Sequence, residues 1–295
     1  MDLGIIGFQR SGKTTIFNAV TKGNAQTGSY GAGVQPNIGV VKVPDDRLDR
    51  LARIFDPKKF TLADIRYIDF PGEAFSTGQG PPTQFLAQLA RCDALIHVVR
   101  AFDDETVPHP QVSVDAARDA SAMDLELAFA DAAFIERRLE RIEAEMRSVK
   151  TGERDAAERQ VALLMRMKTG LESDTPLRQQ HFDDDEAKSL VNYQFLTDKP
   201  LLVVMNINEG DATRGREIES EFAAKSSSEH KAVAAIRLST AGSGRPAAAS
   251  RLPHFSATLS SIGRMRPANQ GTISSASHFS NRVRLALSGA LAIPF

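Results

Sequence analysis

Eight residues near the start of the chain, Gly7-Phe8-Gln9-Arg10-Ser11-Gly12-Lys13-Thr14, have the spacing G-x-x-x-x-G-K-[ST]. Such a run lets successive backbone N–H groups wrap a phosphate chain, because only a glycine-containing loop can turn so tightly against an anion. Gly7, Gln9, Arg10, Ser11, Gly12 and Thr15 are therefore expected to line the phosphates. Lys13 supplies charge to the β and γ phosphates, and the Thr14 hydroxyl is placed to ligate Mg²⁺. The apolar run before the loop reads as a strand, and residues 15–20 after it read as an amphipathic helix. The positive end of that helix also faces the phosphates. The eight residues read as a P-loop for a nucleoside triphosphate.

Two further stretches fit the same chemistry. A strand predicted over residues 65–70 ends on Asp69-Phe70-Pro71-Gly72. A D-x-x-G downstream of a P-loop allows Asp69 to hold Mg²⁺ through water and the Gly72 N–H to sense the γ-phosphate. The strand predicted over 201–205 delivers Asn206-Ile207-Asn208-Glu209. GTPases read guanine from this place with N-K-x-D, whose carboxylate accepts hydrogens from the base. Here the fourth residue is a longer Glu and the Lys is absent, so Asn206 and Glu209 are expected to face a base other than guanine. Adenine is the expectation, with ATP preferred and GTP secondary.

These residues need a scaffold that brings loops to one edge. Strands are expected over 38–43, 65–70 and 94–100, with helices over 45–55 and 84–91 between them. Alternation of this kind predicts an α/β fold, a mostly parallel sheet with helices on both faces and the nucleotide at its carboxyl edge. Residues 23–33 and 73–83 are rich in small turn-forming types and read as the two switch loops. His97, inside the apolar strand, is expected to be satisfied within its layer. Leu125, Ala128, Ala132, Ile135, Leu139, Ile142, Met146 and Val149 then form a heptad seam, broken at Thr151-Gly152. A second helical run with Val161, Leu164 and Leu171 returns along it. The expectation is an antiparallel helical hairpin, 119–196, inserted into a nucleotide domain made of 1–118 and 197–240.

Composition sets the outer limits. The chain has 295 residues, 42% of them hydrophobic, and no apolar run approaches the roughly 20 residues of a membrane span. With no basic-then-apolar leader, a cytoplasmic, non-membrane setting is the expectation for such a chain, as a monomer. Cys92 is the only cysteine, which excludes an internal disulfide and a thiolate metal cluster and leaves a packing role. The acidic residues all lie at or before Glu229, so residues 1–229 carry 28 basic against 37 acidic side chains while 230–295 carry eight basic and none acidic. Such a basic tail, 241–295, reads as irregular. It is expected to be either the product of a shifted reading frame or a basic arm that binds RNA.

Taken together the residues resemble the YchF family, the Obg-like ATPases. The resemblance runs from Met1 to about Glu209 and rests on GFQRSGKTTIFNAVT, QPNIGVVKVPDDRLDRLARIFDP, the D-x-x-G, FLAQLARCDALIHVVRAFDDETVPH, SVDAARDASAMDLELAFAD and the NINE loop. It implies an Obg-type G domain with a helical insertion, ATP preferred to GTP, slow Mg²⁺-dependent hydrolysis and association with ribosomes or ribosomal RNA. It also implies that His109 orients the attacking water. Four departures stand out: Gly33 where the family has a switch Thr, Glu73 where it has a hydrophobic residue, Arg10 where it has Asn, and no recognisable TGS domain. Arg10 is accordingly a candidate built-in arginine finger. The alternatives are a GTP-binding switch and a nucleotide-binding scaffold with negligible turnover.

Overall fold

The computed structural model describes residues 1–23, 25, 35–43, 45–75, 81–110, 113–147, 151–190, 193–225, 231–238 and 249–250. Most of the first switch loop, Gly33 within it, part of the second and nearly all of the tail lie outside the described residues. In chain order the first elements are β1 (Asp2–Ile6), α1 (Lys13–Thr21), β2 (Asn37–Lys42), α2 (Asp46–Phe55) and β3 (Asp64–Asp69). Next come α3 (Thr83–Arg91), β4 (Ala94–Ala101), α4 (Ala116–Met146), α5 (Thr151–Glu172) and α6 (Asp184–Leu190). The chain then runs through β5 (Leu201–Ile207), α7 (Gly215–Lys225), β6 (Lys231–Leu238) and β7 (Ala249–Ser250).

The strands join one sheet in the order β2-β3-β1-β4-β5-β6-β7. Its five central strands are parallel, which fits their continuous apolar sequences: β4 and β5 are buried along almost their whole length. The outer strands differ. β2 runs antiparallel to β3, and β7 antiparallel to β6, so the sheet is mostly parallel as expected, with an antiparallel strand at each edge. An edge strand covered on one face alternates, and β2 does so, with Ile38 and Val40 exposed. One face of the sheet packs Leu3, Ile5, Ile96, Val98 and Val204 with Ile16 and Phe17 of α1. The other packs Ile6, Leu95, Val99 and Val203 with Ala120, Met123 and Leu127 of α4. Each such large apolar side chain, fully enclosed, contributes roughly 2 kcal/mol.

The helix α4 has two partners along its length, and this corrects the sequence reading in one place. Ala128, Ile135 and Ile142 pack against Leu164, Met167 and Leu171 of α5, with Ala132, Leu139 and Met146 beside them. The seam therefore holds from Ala128 onward. Leu125 does not belong to it: the residue is 41% exposed, because at that level α4 turns Met123 and Leu127 toward the sheet. Val149 lies outside the described residues. The helical break also moves, since Thr151 opens α5 and α4 already ends at Met146. His97 is a second correction. Neither ring nitrogen has a hydrogen-bond partner, and burial pushes its pKa down to about 3, so the imidazole sits neutral in the layer without being satisfied there. Cys92 is buried in the apolar core as expected, its thiol pushed up to about 12 by burial.

Candidate functional site

The P-loop connects β1 to α1, and its glycines are where the backbone demands them. Gly7 has φ 148°, and a Cβ there would stand 2.4 Å from the Val98 carbonyl oxygen. Gly12, with φ 98°, caps α1 in the left-handed region without any side-chain hydrogen bond. The contrast with two other helices is instructive: α2 and α4 carry Asp45 and Asp115 at the same position, each accepting backbone N–H groups. The start of α1 keeps its donors for something else.

Lys13 is buried, and its ammonium donates to the Phe8 carbonyl at 3.0 Å. Burial pushes its pKa down to about 8, against the opposing pull of Asp69 and Glu73. The Thr14 hydroxyl donates to Asp69 Oδ2 at 2.8 Å, and Asn37 Nδ2 donates to the same oxygen at 3.2 Å. Asn37 was not singled out in the sequence, where its place after Pro36 gave no hint of this partner. Gly72 closes on the loop so tightly that a Cβ would lie 2.7 Å from Gln9 N and 2.8 Å from Lys13 Nζ. The P-loop, the end of β3 and the start of β2 thus meet at one point.

The base-reading candidates divide. Asn206, buried near the end of β5, donates its side-chain amide to the Ser11 carbonyl at 3.2 Å, so it braces the P-loop. Glu209 is exposed and begins a short 3₁₀ turn, Glu209–Arg214, whose cap is the Asn208 side chain accepting from Glu209 N at 2.8 Å. The site residues Gln9, Ser11 and Thr15 lie on the P-loop and the first turn of α1, with the Ser11 hydroxyl buried and without a hydrogen-bond partner.

Arg10 has φ 60°, a left-handed backbone for a non-glycine residue, and its guanidinium donates to the Pro108 carbonyl at 3.0 Å. The exposed side chain in this arrangement spans to the loop after β4. That loop is shaped by Arg100, whose buried guanidinium donates to the carbonyls of Phe102, Asp104 and Val107. His109 follows Pro108. Its Nε2 lies 2.9 Å from Asp119 Oδ2, with both side chains about 5% exposed or less, and Arg118 also contacts Asp119. The ring is thereby turned toward the first turns of α4. Sequence reasoning had no route to Arg100, Asn37 or Asp119, since their partners are carbonyls and side chains brought close only by the fold.

Comparison with known proteins follows the same outline. Residues 2–128 match the family described as 50S ribosome-binding GTPase. The ribosome-binding ATPase YchF of Bacillus subtilis (strain 168) is 35% identical over 211 residues, which cover 70% of this chain and 57% of that protein. Obg-like ATPase 1 of Caenorhabditis elegans is 34% identical over 218 residues, 72% of this chain and 54% of that one. The chain thus spans little more than half the length of these relatives. Among solved structures, the YchF GTPase of Schizosaccharomyces pombe superposes with a TM-score of 0.64 at 25% identity, covering 99% of this chain and 75% of that chain. With the P-loop, the sheet order and the inserted helices already described, these matches show that the chain belongs to the YchF family of Obg-like P-loop proteins.

Proposed function

We propose that the chain is a Mg²⁺-dependent nucleoside triphosphatase that binds and slowly hydrolyses ATP, with GTP as secondary nucleotide, and that it works at the ribosome. The observation that carries this reading is the buried Lys13. It is enclosed by the P-loop, held by a single carbonyl, and set beside a glycine that leaves no room for a side chain. An ammonium so desolvated gains most from a phosphate. The Thr14 hydroxyl and the Asp69 carboxylate, 2.8 Å apart, are hard oxygen donors of the kind Mg²⁺ takes. A metal ion held by these oxygens would offset negative charge on the phosphates. The chain's own part is positional: Gly7, Gly12 and Gly72 admit the phosphates, Asn206 fixes the loop through Ser11, and Glu209 stands at the rim for the base. The ribosomal assignment is supported by the names of the relatives.

The proposed domain division is 1–118 with 197–240 for the nucleotide domain and 119–196 for the helical insertion, with a basic tail over 241–295 that lies almost wholly outside the described residues. A cytoplasmic monomer is part of the same proposal. No helix among the described residues is long and apolar enough to cross a membrane.

A second reading, a nucleotide-binding scaffold with negligible turnover, is favoured by one observation. His109 Nε2 is engaged with Asp119, so that nitrogen reaches an attacking water only when the pair opens. The deciding experiment measures ATP and GTP binding with Mg²⁺ and then single-turnover hydrolysis. ATP binding should weaken about a hundredfold in Lys13→Ala, as expected for one charge-assisted contact to phosphate. GTP binding more than about tenfold tighter than ATP would make the chain a GTP switch instead. Bound ATP that persists unhydrolysed would establish the scaffold, and failure to sediment with ribosomes would remove the ribosomal assignment.

A further inference from the structure

The residue that follows Gly72 is Glu73, in the short 3₁₀ turn Gly72–Phe75. Ala74 and Phe75 are buried in the core beneath it, and Ala74 N–H donates to the Pro71 carbonyl at 3.2 Å, so the turn is anchored on both sides of Glu73. The side chain is half-buried, and Oε2 is enclosed without a hydrogen-bond partner. An enclosed carboxylate oxygen lacking a donor is unfavourable unless a cation stands near. Lys13 is the cation on that side of the turn: its Nζ lies where a Cβ on the neighbouring Gly72 would be only 2.8 Å away, and its charge is supported by Asp69 and then by Glu73, the latter from beyond ion-pair distance. The other carboxylate nearby, Asp69, already accepts from Thr14 and Asn37.

We propose that Glu73 is the counter-charge of Lys13 in the nucleotide-free site and a specificity-determining residue that penalises a nucleoside triphosphate relative to the diphosphate. The inference rests on the reading of this loop as a nucleotide site. Lys13 cannot serve Glu73 and a polyphosphate equally. When phosphate oxygens draw the ammonium away, the carboxylate is left beside an anion. The penalty grows with the negative charge on the Gly72 side of the loop, where the γ-phosphate adds its charge and a diphosphate has none. The consequence is a site biased toward the diphosphate.

The test is calorimetric titration of the full chain with ADP and with a non-hydrolysable ATP analogue, both with Mg²⁺, comparing wild type, Glu73→Gln, Glu73→Asp and Lys13→Ala. Glu73→Gln keeps the volume and removes the charge. It should raise affinity for the triphosphate about five- to tenfold with ADP changed less than about twofold, and the gain should shrink as salt rises. Glu73→Asp, which keeps the charge, should stay close to wild type. An unchanged triphosphate-to-diphosphate ratio in Glu73→Gln would overturn the proposal, as would weaker triphosphate binding or an Asp variant that behaves like Gln. Nucleotides that bind wild type no better than Lys13→Ala would instead overturn the reading of the site itself, and the proposal with it.

Discussion

Two groups of charged side chains are buried in this chain, and they differ in what holds them. Asp131 of α4 is wholly enclosed, yet both of its oxygens are used: one accepts Leu196 N–H at 2.9 Å, the other accepts Thr197 N–H and the Thr197 hydroxyl at 2.7 Å. Two helical turns earlier, Asp124 accepts from Arg178 at 2.6 Å and from Lys231 of β6 at 2.9 Å. Burial alone would raise its pKa, and the two cations hold it below the ordinary carboxylate range. At the P-loop the pattern is the reverse. Lys13 has one carbonyl, while the Ser11 hydroxyl and Glu73 Oε2 have no hydrogen-bond partner. In the first group every carboxylate oxygen is matched by the chain, although Arg178 Nε has no hydrogen-bond partner, and the group fastens the inserted helices to the sheet. The second lacks such partners within the chain, and the proposed nucleotide and its ion would supply them. Buried polar groups cost most when unmatched, so the degree of matching separates a structural cluster from a binding one.

The largest test of that contrast is Asp131→Ala. It strands three donors and should lower stability by about 3–5 kcal/mol while the folded protein keeps its nucleotide affinity. Chemical denaturation together with nucleotide titration checks both halves, and a matching loss of affinity would erase the distinction. The same carboxyl is pushed up to about 6 by burial, from an ordinary 3.8. Between those values the native state holds a proton that the unfolded chain has released, so stability should fall as pH rises through that window. The Ala variant should lose this slope.

A smaller effect is expected at Lys13. Its pKa of about 8 in the nucleotide-free site must rise when phosphates arrive. Below pH 8 the ammonium is already present and affinity should be flat. Above it, binding must take up a proton, and affinity should fall by up to about tenfold per pH unit. Titrations in buffers of different ionisation enthalpy read the proton uptake directly, and its absence above pH 8 would mean that Lys13 does not meet the phosphates. The smallest effect belongs to Asn206→Ala, which removes the brace on Ser11 and should cost about 1 kcal/mol of stability with a few-fold weaker ATP binding. A change in base preference in that variant would show that Asn206 also reads the base.

What could be read from the sequence was whatever the chain declares locally. Gly7, Gly12 and Gly72 are legible because a phosphate loop needs glycine at those spacings, and β4 and β5 because a strand covered on both faces has no polar alternation. The pairs that complete the site were not legible. Asn206 reaches Ser11 across 195 residues, Arg10 reaches Pro108 across 98, and Asn37 reaches Asp69 across 32. Periodicity likewise gives the face of a helix without its partner, which is why Leu125 entered the seam although α4 has turned to the sheet at that level. The antiparallel pairing of β2 was hidden for the same reason: its alternating apolar face is the same for either direction.

The contact between Arg10 and the Pro108 carbonyl has a mechanical consequence. Pro108 is bonded to His109, and His109 is paired with Asp119 in the opening turns of α4, so the phosphate loop and the root of the inserted hairpin share one short linkage. At 1.5 Å per residue the 31 residues of α4 form a rod about 45 Å long. A tilt of about 5° at its root displaces its far end by about 4 Å on that length. A small adjustment of the phosphate loop that tilted this root would therefore be magnified along the helix toward the hairpin tip.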